Sequence, residues 1–370
     1  MKQNKCVFIA FGGSWNSQAR VPLQFKALAD ELSKRGFTVI SIIQGKPDPK
    51  LANEKDVYYW PSKRPTKLRD AFFFYKLVRK FKPSLIITQF AATNIMLLVG
   101  WLTKIPHRIV WYHTMSKQIE NDWKSSYWRL RFLRLRKSLI YHFATNISFV
   151  SKAARDDFEN TYFSVRNSVI FYNGMKTPEE LSDPLSNINK NVVCVGRLDP
   201  SKGQDVLIHA FRQVVDQVGD AKLILIGAGP KRDYLDSLIQ NLHLENSIMF
   251  VGKVSPEDVI KNLNKGYISV VPSREEAFGF VVIESMSVGT PVIASSVGGI
   301  PEIIRDGVDG CLVPPEDTDA LAEKIILLLK NPELRNKMSE NALDRFLSTF
   351  ELSKIVNHQA DWIEELLIKE

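Results

Sequence analysis

The stretch Val192-Val-Cys-Val-Gly-Arg-Leu-Asp-Pro-Ser-Lys-Gly203 opens on apolar, β-favouring residues and turns at Gly196. It passes an Asp-Pro pair and ends at Gly203, after which Gln204–Gln217 carries apolar residues at helical spacing. A short strand, a glycine turn and an amphipathic helix make the first half of a βαβ unit. The strand is apolar throughout instead of alternating, the mark of a parallel sheet covered on both faces. The pattern recurs on either side. Downstream, Leu223–Ile226, Ile248–Val251, Ile268–Val271, Val292–Ala294 and Cys311–Val313 read as strands. Upstream, so do Cys6–Phe11, Thr38–Ile43, Leu85–Thr88, Arg108–Tyr112 and Asn146–Val150, with helices between them, Ser17–Arg35 the first. Between the two series, Thr177–Asn191 is polar and holds two prolines, the composition of a linker. The expected fold class is α/β, with two doubly wound Rossmann-like domains, 1–180 and 181–350, facing each other across a ligand cleft. Residues 351–370 are expected to form an amphipathic helix that packs back toward the first domain.

The chain has 370 residues, 45% hydrophobic and 24% charged, as a globular protein has. Its net charge of +8 hides an asymmetry: residues 1–180 carry 30 Lys and Arg against 13 Asp and Glu, the rest 19 against 28. The two halves are built for different partners. Cys6, Cys194 and Cys311 each lie in an apolar run, which suits buried thiols in a reducing compartment. The run Cys6–Phe11 is short for a secretory leader. Gln89, Thr93 and Asn94 interrupt Ile86–Leu102, so a strand and a core helix are expected there instead of a membrane span. A cytoplasmic protein, soluble or peripheral, is the expectation.

Three stretches carry candidate chemistry. In a doubly wound fold the turn 196–203 lies at the carboxyl edge of the sheet, where phosphates meet a helix N-terminus. Arg197 and Lys202 offer the two cations a diphosphate needs, against the plainer possibility of a solvated polar turn. Ser273–Glu284 (Ser-Arg-Glu-Glu-Ala-Phe-Gly-Phe-Val-Val-Ile-Glu) follows a strand and enters a helix near Gly279. There Glu276 and Glu284 are either hydroxyl-gripping carboxylates or a helix cap and an ordinary helical glutamate. Gly289–Glu302 is a strand between turns, ending in Gly298-Gly299, and serves close packing around a ligand or simple punctuation.

In order, these motifs resemble the donor domain of the family 4 glycosyltransferases, retaining enzymes of GT-B fold. The match rests on Gly-Arg…Lys-Gly, Glu-x7-Glu at Glu276 and Glu284, Gly-x-Pro-Val-Ile-Ala and Gly-Gly-x-Pro-Glu, over about residues 190–350. The resemblance implies that Arg197 and Lys202 neutralise a donor pyrophosphate and that Glu284 holds the ribose. It also implies that Glu276, with the amides of Phe278, Gly279 and Phe280, positions the transferred sugar. Ala277 stands where glycine is common. In the first half, Gly12-Gly13 occupies the family's glycine-rich acceptor-side loop, which by the resemblance also approaches the donor phosphate and binds the donor, although Ser14-Trp15-Asn16 departs from its usual sequel. His113, closing a strand, matches a histidine near the sugar; Glu276, His113, Arg197 and Lys202 are the implied catalytic set. Asn173-Gly174 matches a structural turn.

The implied function moves a hexose from a UDP-, GDP- or ADP-sugar to a hydroxyl of a glycan or lipid-linked acceptor, in cell-envelope polysaccharide or glycolipid synthesis. We read no Asp-x-Asp metal motif, so neither metal nor cofactor is expected. The alternatives are a catalytically silent sugar-nucleotide-binding partner subunit and another GT-B-like enzyme, such as a sugar-nucleotide epimerase. An NAD enzyme is disfavoured, because no Gly-x-Gly-x-x-Gly follows the first strand.

Residues 123–143 place Trp128, Phe132, Leu135 and Leu139 at helical spacing among Arg129, Arg131, Arg134, Arg136 and Lys137. Such a helix suits peripheral contact with anionic membrane at the inner face of the cell membrane. No nucleic-acid module accompanies it, so nucleic acid is not an expected partner. The earlier stripe Phe74, Leu77, Val78 and Phe81 is expected to be core.

Overall fold

The computed structural model describes residues 5–12, 19–44, 56–116, 127–179 and 189–368. The chain divides into two units, Met1–Gly174 with Leu352–Glu370, and Met175–Glu351.

Unit 1 is built on β1 (Cys6–Phe11), β2 (Thr38–Ile43), β3 (Val57–Tyr59), β4 (Leu85–Thr88), β5 (His107–Tyr112), β6 (Asn146–Phe149) and β7 (Ser168–Ile170). The strands are parallel, in the order β3-β2-β1-β4-β5-β6-β7. The edge strands β3 and β7 have three residues each and are only partly buried, too short to leave an apolar run in the sequence. Central β1 is buried throughout and pairs Val7 with Val39 on one side and with Leu85 on the other. Strand side chains alternate between faces. Val7, Ile9 and Phe11 therefore pack with Phe25 and Leu28 of helix Arg20–Lys34 and with Val356 and Ile363 of helix Leu352–Ile368. Cys6, Phe8 and Ala10 meet Phe74 and Met96 of helices Leu68–Phe81 and Thr93–Leu102. Each large apolar side chain buried this way contributes about 1.5–3 kcal/mol. The helix Leu352–Ile368 thus belongs to the core of unit 1. Against it sits the Asn173-Gly174 turn, where Gly174 N–H donates to Gln24 Oε1 at 3.0 Å and an added Cβ would lie 3.0 Å from Ile355.

Unit 2 holds β8 (Asn191–Val195), β9 (Lys222–Ile226), β10 (Ile248–Gly252), β11 (Ile268–Val271), β12 (Val292–Ser295) and β13 (Gly310–Val313). Its all-parallel order β10-β9-β8-β11-β12-β13 is that of a dinucleotide-type sheet. The order reverses between β8 and β11, whose register pairs Ile268 with Val192. Leu207, Phe211, Ile325 and Leu328 cover one face, Leu263 and Val288 the other. All three cysteines are buried and free, and burial pushes the thiols of Cys6 and Cys194 up to about 12.

Candidate functional site

In unit 2, the two loops leaving β8 and β11 meet at the point of reversal. Asp199 organises the first. Its carboxylate accepts the N–H and hydroxyl of Ser201 at 2.9 and 2.5 Å and caps a single turn, Pro200–Lys202, with proline at its first position. Gly203 ends that turn in the left-handed region (φ +64°), and helix Gln204–Gln217 starts there. Only glycine fits, because an added Cβ would stand 1.9 Å from Pro272 O at the head of the second loop. On the other flank Gly227 closes on Gly196 O in the same way, at 1.9 Å. The Gly227–Pro230 turn is therefore a packing element.

Asp199 also binds the Arg197 guanidinium. Burial alone would raise the Asp199 carboxyl, but the Ser201 and Arg197 hydrogen bonds outweigh it and hold it below the usual carboxylate range. Arg197 remains more than half exposed.

Lys202 Nζ of the first loop and Glu276 Oε2 of the second lie 2.5 Å apart, and both side chains are partly buried. Glu276 is therefore no helix cap: the N-cap of helix Phe280–Ser287 is Gly279 (φ +115°), which offers no side chain to the helix amides. Glu284 is not an ordinary surface glutamate either, being 7% exposed within that helix. Phe278 is buried and Phe280 partly so. Neighbouring Glu275 has one carboxylate oxygen, Oε2, buried without a hydrogen-bond partner.

Arg274 fastens the loops together. It pairs with both Asp205 oxygens at 2.9 Å, with Glu316, and with Pro200 O at 2.6 Å, while its own N–H reaches Ser201 O at 2.8 Å. Asp205 lies below the usual carboxylate range because the Arg274 contacts exceed the opposing effect of burial. The Gly298-Gly299 turn supports the backbone of the Glu276 loop. Gly299 N–H donates to Glu276 O at 3.1 Å, and Gly298 lies against the same carbonyl. Asp199 and Arg274 belong to no motif recognised in the sequence; their only signals were Asp before Pro and a charge beside Glu275-Glu276.

The carboxyl edge of unit 1 holds Gly12 and His113, while Gly13 and Ser14-Trp15-Asn16 lie outside the described residues. His113 sits between the rings of Phe25 and Phe90, at 5.9 and 5.7 Å, with both ring nitrogens buried and unpartnered. Burial lowers its pKa to about 3, so the imidazole is neutral at physiological pH. Phe90 has φ +51°, which costs a non-glycine residue about 1–2 kcal/mol.

The chain does hold one Asp-x-Asp string, Asp317-Thr318-Asp319. Its role is structural: Asp317 caps helix Thr318–Lys330 through Ala320 N–H at 2.9 Å, and Asp319 accepts from Gln213 at 2.6 Å. Among the described residues no group of His, Cys, Asp and Glu is arranged to hold a metal ion.

The basic segment forms helix Tyr127–Tyr141, and residues 123–126 lie outside the described residues. Its stripe of Trp128, Phe132, Leu135 and Leu139 faces solvent, 60–74% exposed. Lys137 is more enclosed, and burial lowers its pKa. Phe74, Leu77 and Val78 are core, as expected. Among the described residues no helix is long and apolar enough to cross a membrane.

Two all-parallel α/β units, one with converging charged loops at its point of reversal, define a protein of GT-B fold. Sucrose-phosphate synthase from Thermosynechococcus elongatus superposes with a TM-score of 0.79 at 21% identity, covering 99% of this chain and 100% of that one. The Anabaena protein HepE, in complex with UDP, superposes with 0.76 at 21%, covering 98% and 100%. The family described as "Glycosyltransferase Family 4" matches residues 24–178, and "Glycosyl transferases group 1" matches residues 179–345. The chain belongs to the family 4 glycosyltransferases. N-acetyl-alpha-D-glucosaminyl L-malate synthase of Bacillus anthracis is 33% identical over 201 residues, 54% of this chain and 52% of that protein. This chain thus spans about half the length of the curated relatives it matches.

Proposed function

We propose that the protein is a retaining glycosyltransferase that takes a hexose from a nucleotide diphosphate sugar and delivers it to a hydroxyl of a glycan or lipid-linked acceptor. The observation that carries this is the Lys202–Glu276 pair, which joins a cation on the first loop to a carboxylate on the second. A donor has the complementary layout, with a diphosphate followed by a hydroxyl-rich ring. On binding, Lys202 turns to the diphosphate beside Arg197, and Glu276 is released to accept from sugar hydroxyls. Glu284 accepts from the ribose. The relatives agree in kind: one is named for an α-D-glucosaminyl product, and one fold neighbour holds UDP.

As the bond to the leaving oxygen breaks, the sugar gains oxocarbenium character and the diphosphate gains charge. Arg197, Lys202 and the amides opening helix Phe280–Ser287 then stabilise the transition state more than the ground state. The incoming hydroxyl attacks from the face the diphosphate leaves, and the diphosphate takes its proton, so the anomeric configuration is retained. Neutral His113 orients a hydroxyl without adding charge. In this proposal no metal ion is needed, and turnover is expected to survive EDTA.

A thermal-shift screen against UDP-, GDP- and ADP-sugars tests donor binding, since a donor at a hundred times its Kd adds about 2.7 kcal/mol of stability. NMR of the product then reads the configuration, and inversion would overturn retention. Donor binding with neither transfer nor hydrolysis would make the chain a silent binding subunit.

A further inference from the structure

Helices Leu68–Phe81, Thr93–Leu102 and Tyr127–Tyr141 pack side by side on one face of the unit 1 sheet. Their inner sides supply core residues such as Phe74, Met96 and Tyr141. Their outer sides are apolar too. Leu68 and Phe72 on the first helix, Trp101 and Leu102 on the second, and Phe132 and Leu139 on the third are all exposed, Leu68 by 89% and Leu102 by 63%. Scattered exposed apolar residues are ordinary, but a set spread over three adjacent helices marks a surface that meets a partner.

Charge identifies the partner. The three helices hold nine Lys and Arg and a single acidic residue, Asp70. Asp70 is buried and spends its carboxylate on the N–H groups of Thr66 and Lys67. The outer face therefore presents cations and apolar groups without a carboxylate, the complement of an anionic bilayer.

Two lysines add an independent sign. Lys82 and Lys104 follow their helices with φ of +48° and +57°, where glycine is the unstrained residue. Both line an open groove of about 620 Å³ together with Tyr75, Arg79 and Leu102, and no acidic residue lines it. A lysine kept at a strained position is expected to be held there for its charge.

We propose that this three-helix face docks unit 1 on an anionic lipid bilayer, its apolar side chains entering the interface while the Arg79–Lys82–Lys104 groove receives a lipid phosphate. The proposal is independent of the transfer reaction.

The test is co-sedimentation of the full chain with vesicles of phosphatidylcholine alone or of phosphatidylcholine with phosphatidylglycerol, at low and high salt. Binding to the anionic vesicles only, falling with salt, is the expected result. Phe72→Ser, Leu102→Ser and Phe132→Ser, each at an exposed position, should each weaken it severalfold. The double variant Lys82→Gly/Lys104→Gly should keep or raise Tm while partitioning falls about thirtyfold. Absence of binding, or equal binding to neutral vesicles, would overturn the proposal. So would dependence on Phe132 alone, unchanged binding by the glycine variant, or a self-associating chain that Phe72→Ser renders monomeric. The donor-induced thermal shift of the same variants, measured without vesicles, reads the transferase proposal separately.

Discussion

Gly298 is the position from which the Glu276 loop is most directly moved. It carries φ +51°, and an added Cβ would stand 1.7 Å from the Glu276 carbonyl oxygen and 2.8 Å from its carbon. Real Cβ atoms do not approach closer than 3.0 Å, so Gly298→Ala forces the two backbones apart by roughly 1.3 Å. The left-handed backbone adds about 1–2 kcal/mol of strain. That carbonyl also accepts Gly299 N–H at 3.1 Å, and the Glu276 side chain of the same residue reaches Lys202 at 2.5 Å. A displacement of this size at a substrate-positioning group costs about a hundredfold in rate. Gly307 is the control: it has φ +72° but nothing within 4 Å of its missing Cβ, so Gly307→Ala pays the backbone strain alone. Gly298→Ala should lose more stability than Gly307→Ala in thermal melts, and it alone loses about a hundredfold in transfer and much of its donor-induced shift. Equal transfer by the two variants, measured at saturating donor, would show that the Gly298 turn does not position Glu276.

Arg197→Ala should lower kcat by about a hundredfold or more in steady-state assays, because its charge meets the leaving diphosphate chiefly in the transition state; unchanged turnover would remove it from the mechanism. Arg274→Met should cost about 1–2 kcal/mol of stability at pH 7 in urea melts. Asp205 is held below its ordinary value of 3.8, so the stability it contributes is present above that pH and lost as pH falls through its lower folded value. The gap between wild type and Arg274→Met should therefore narrow in acid, and a gap constant to pH 2 would refute the coupling. His113 titrates near 3, so NMR of its ring protons should show no protonation step between pH 5 and 8; a step there would mean the ring is not desolvated.

Much of the fold was legible in the sequence because periodicity is local. Apolar runs such as Cys6–Phe11 and Ile268–Val271 announced themselves as buried parallel strands, and Gly203 and Gly279 marked where turns leave the helical or extended regions. The three-residue strands β3 and β7 leave no such mark, since runs that short carry no period. The same limit applied to helix Leu68–Phe81, which has apolar residues on two sides. The stripe at Phe74 reads as core from its spacing, while Phe72, equally apolar and facing outward, carries no local sign of its exposure. Which side is buried depends on what packs against it, and that lies elsewhere in the chain.

The sequence by itself determined the alternation of strands and helices, the place of each glycine turn and the residue types Arg197, Lys202, Glu276 and Glu284 in their order. All of these follow from backbone propensity and spacing over a few residues. Only the tertiary structure decided that β8 lies beside β11, and so that Lys202 meets Glu276 across 74 residues of chain. It alone enlisted Asp199 and Arg274 to hold the two loops, turned Gly298 against Glu276, and chose Val356, Ala360 and Ile363 as the side of helix Leu352–Ile368 that enters the core of unit 1. Strand order and the choice of buried face are settled by contacts between distant segments, and no local period encodes which distant segment arrives.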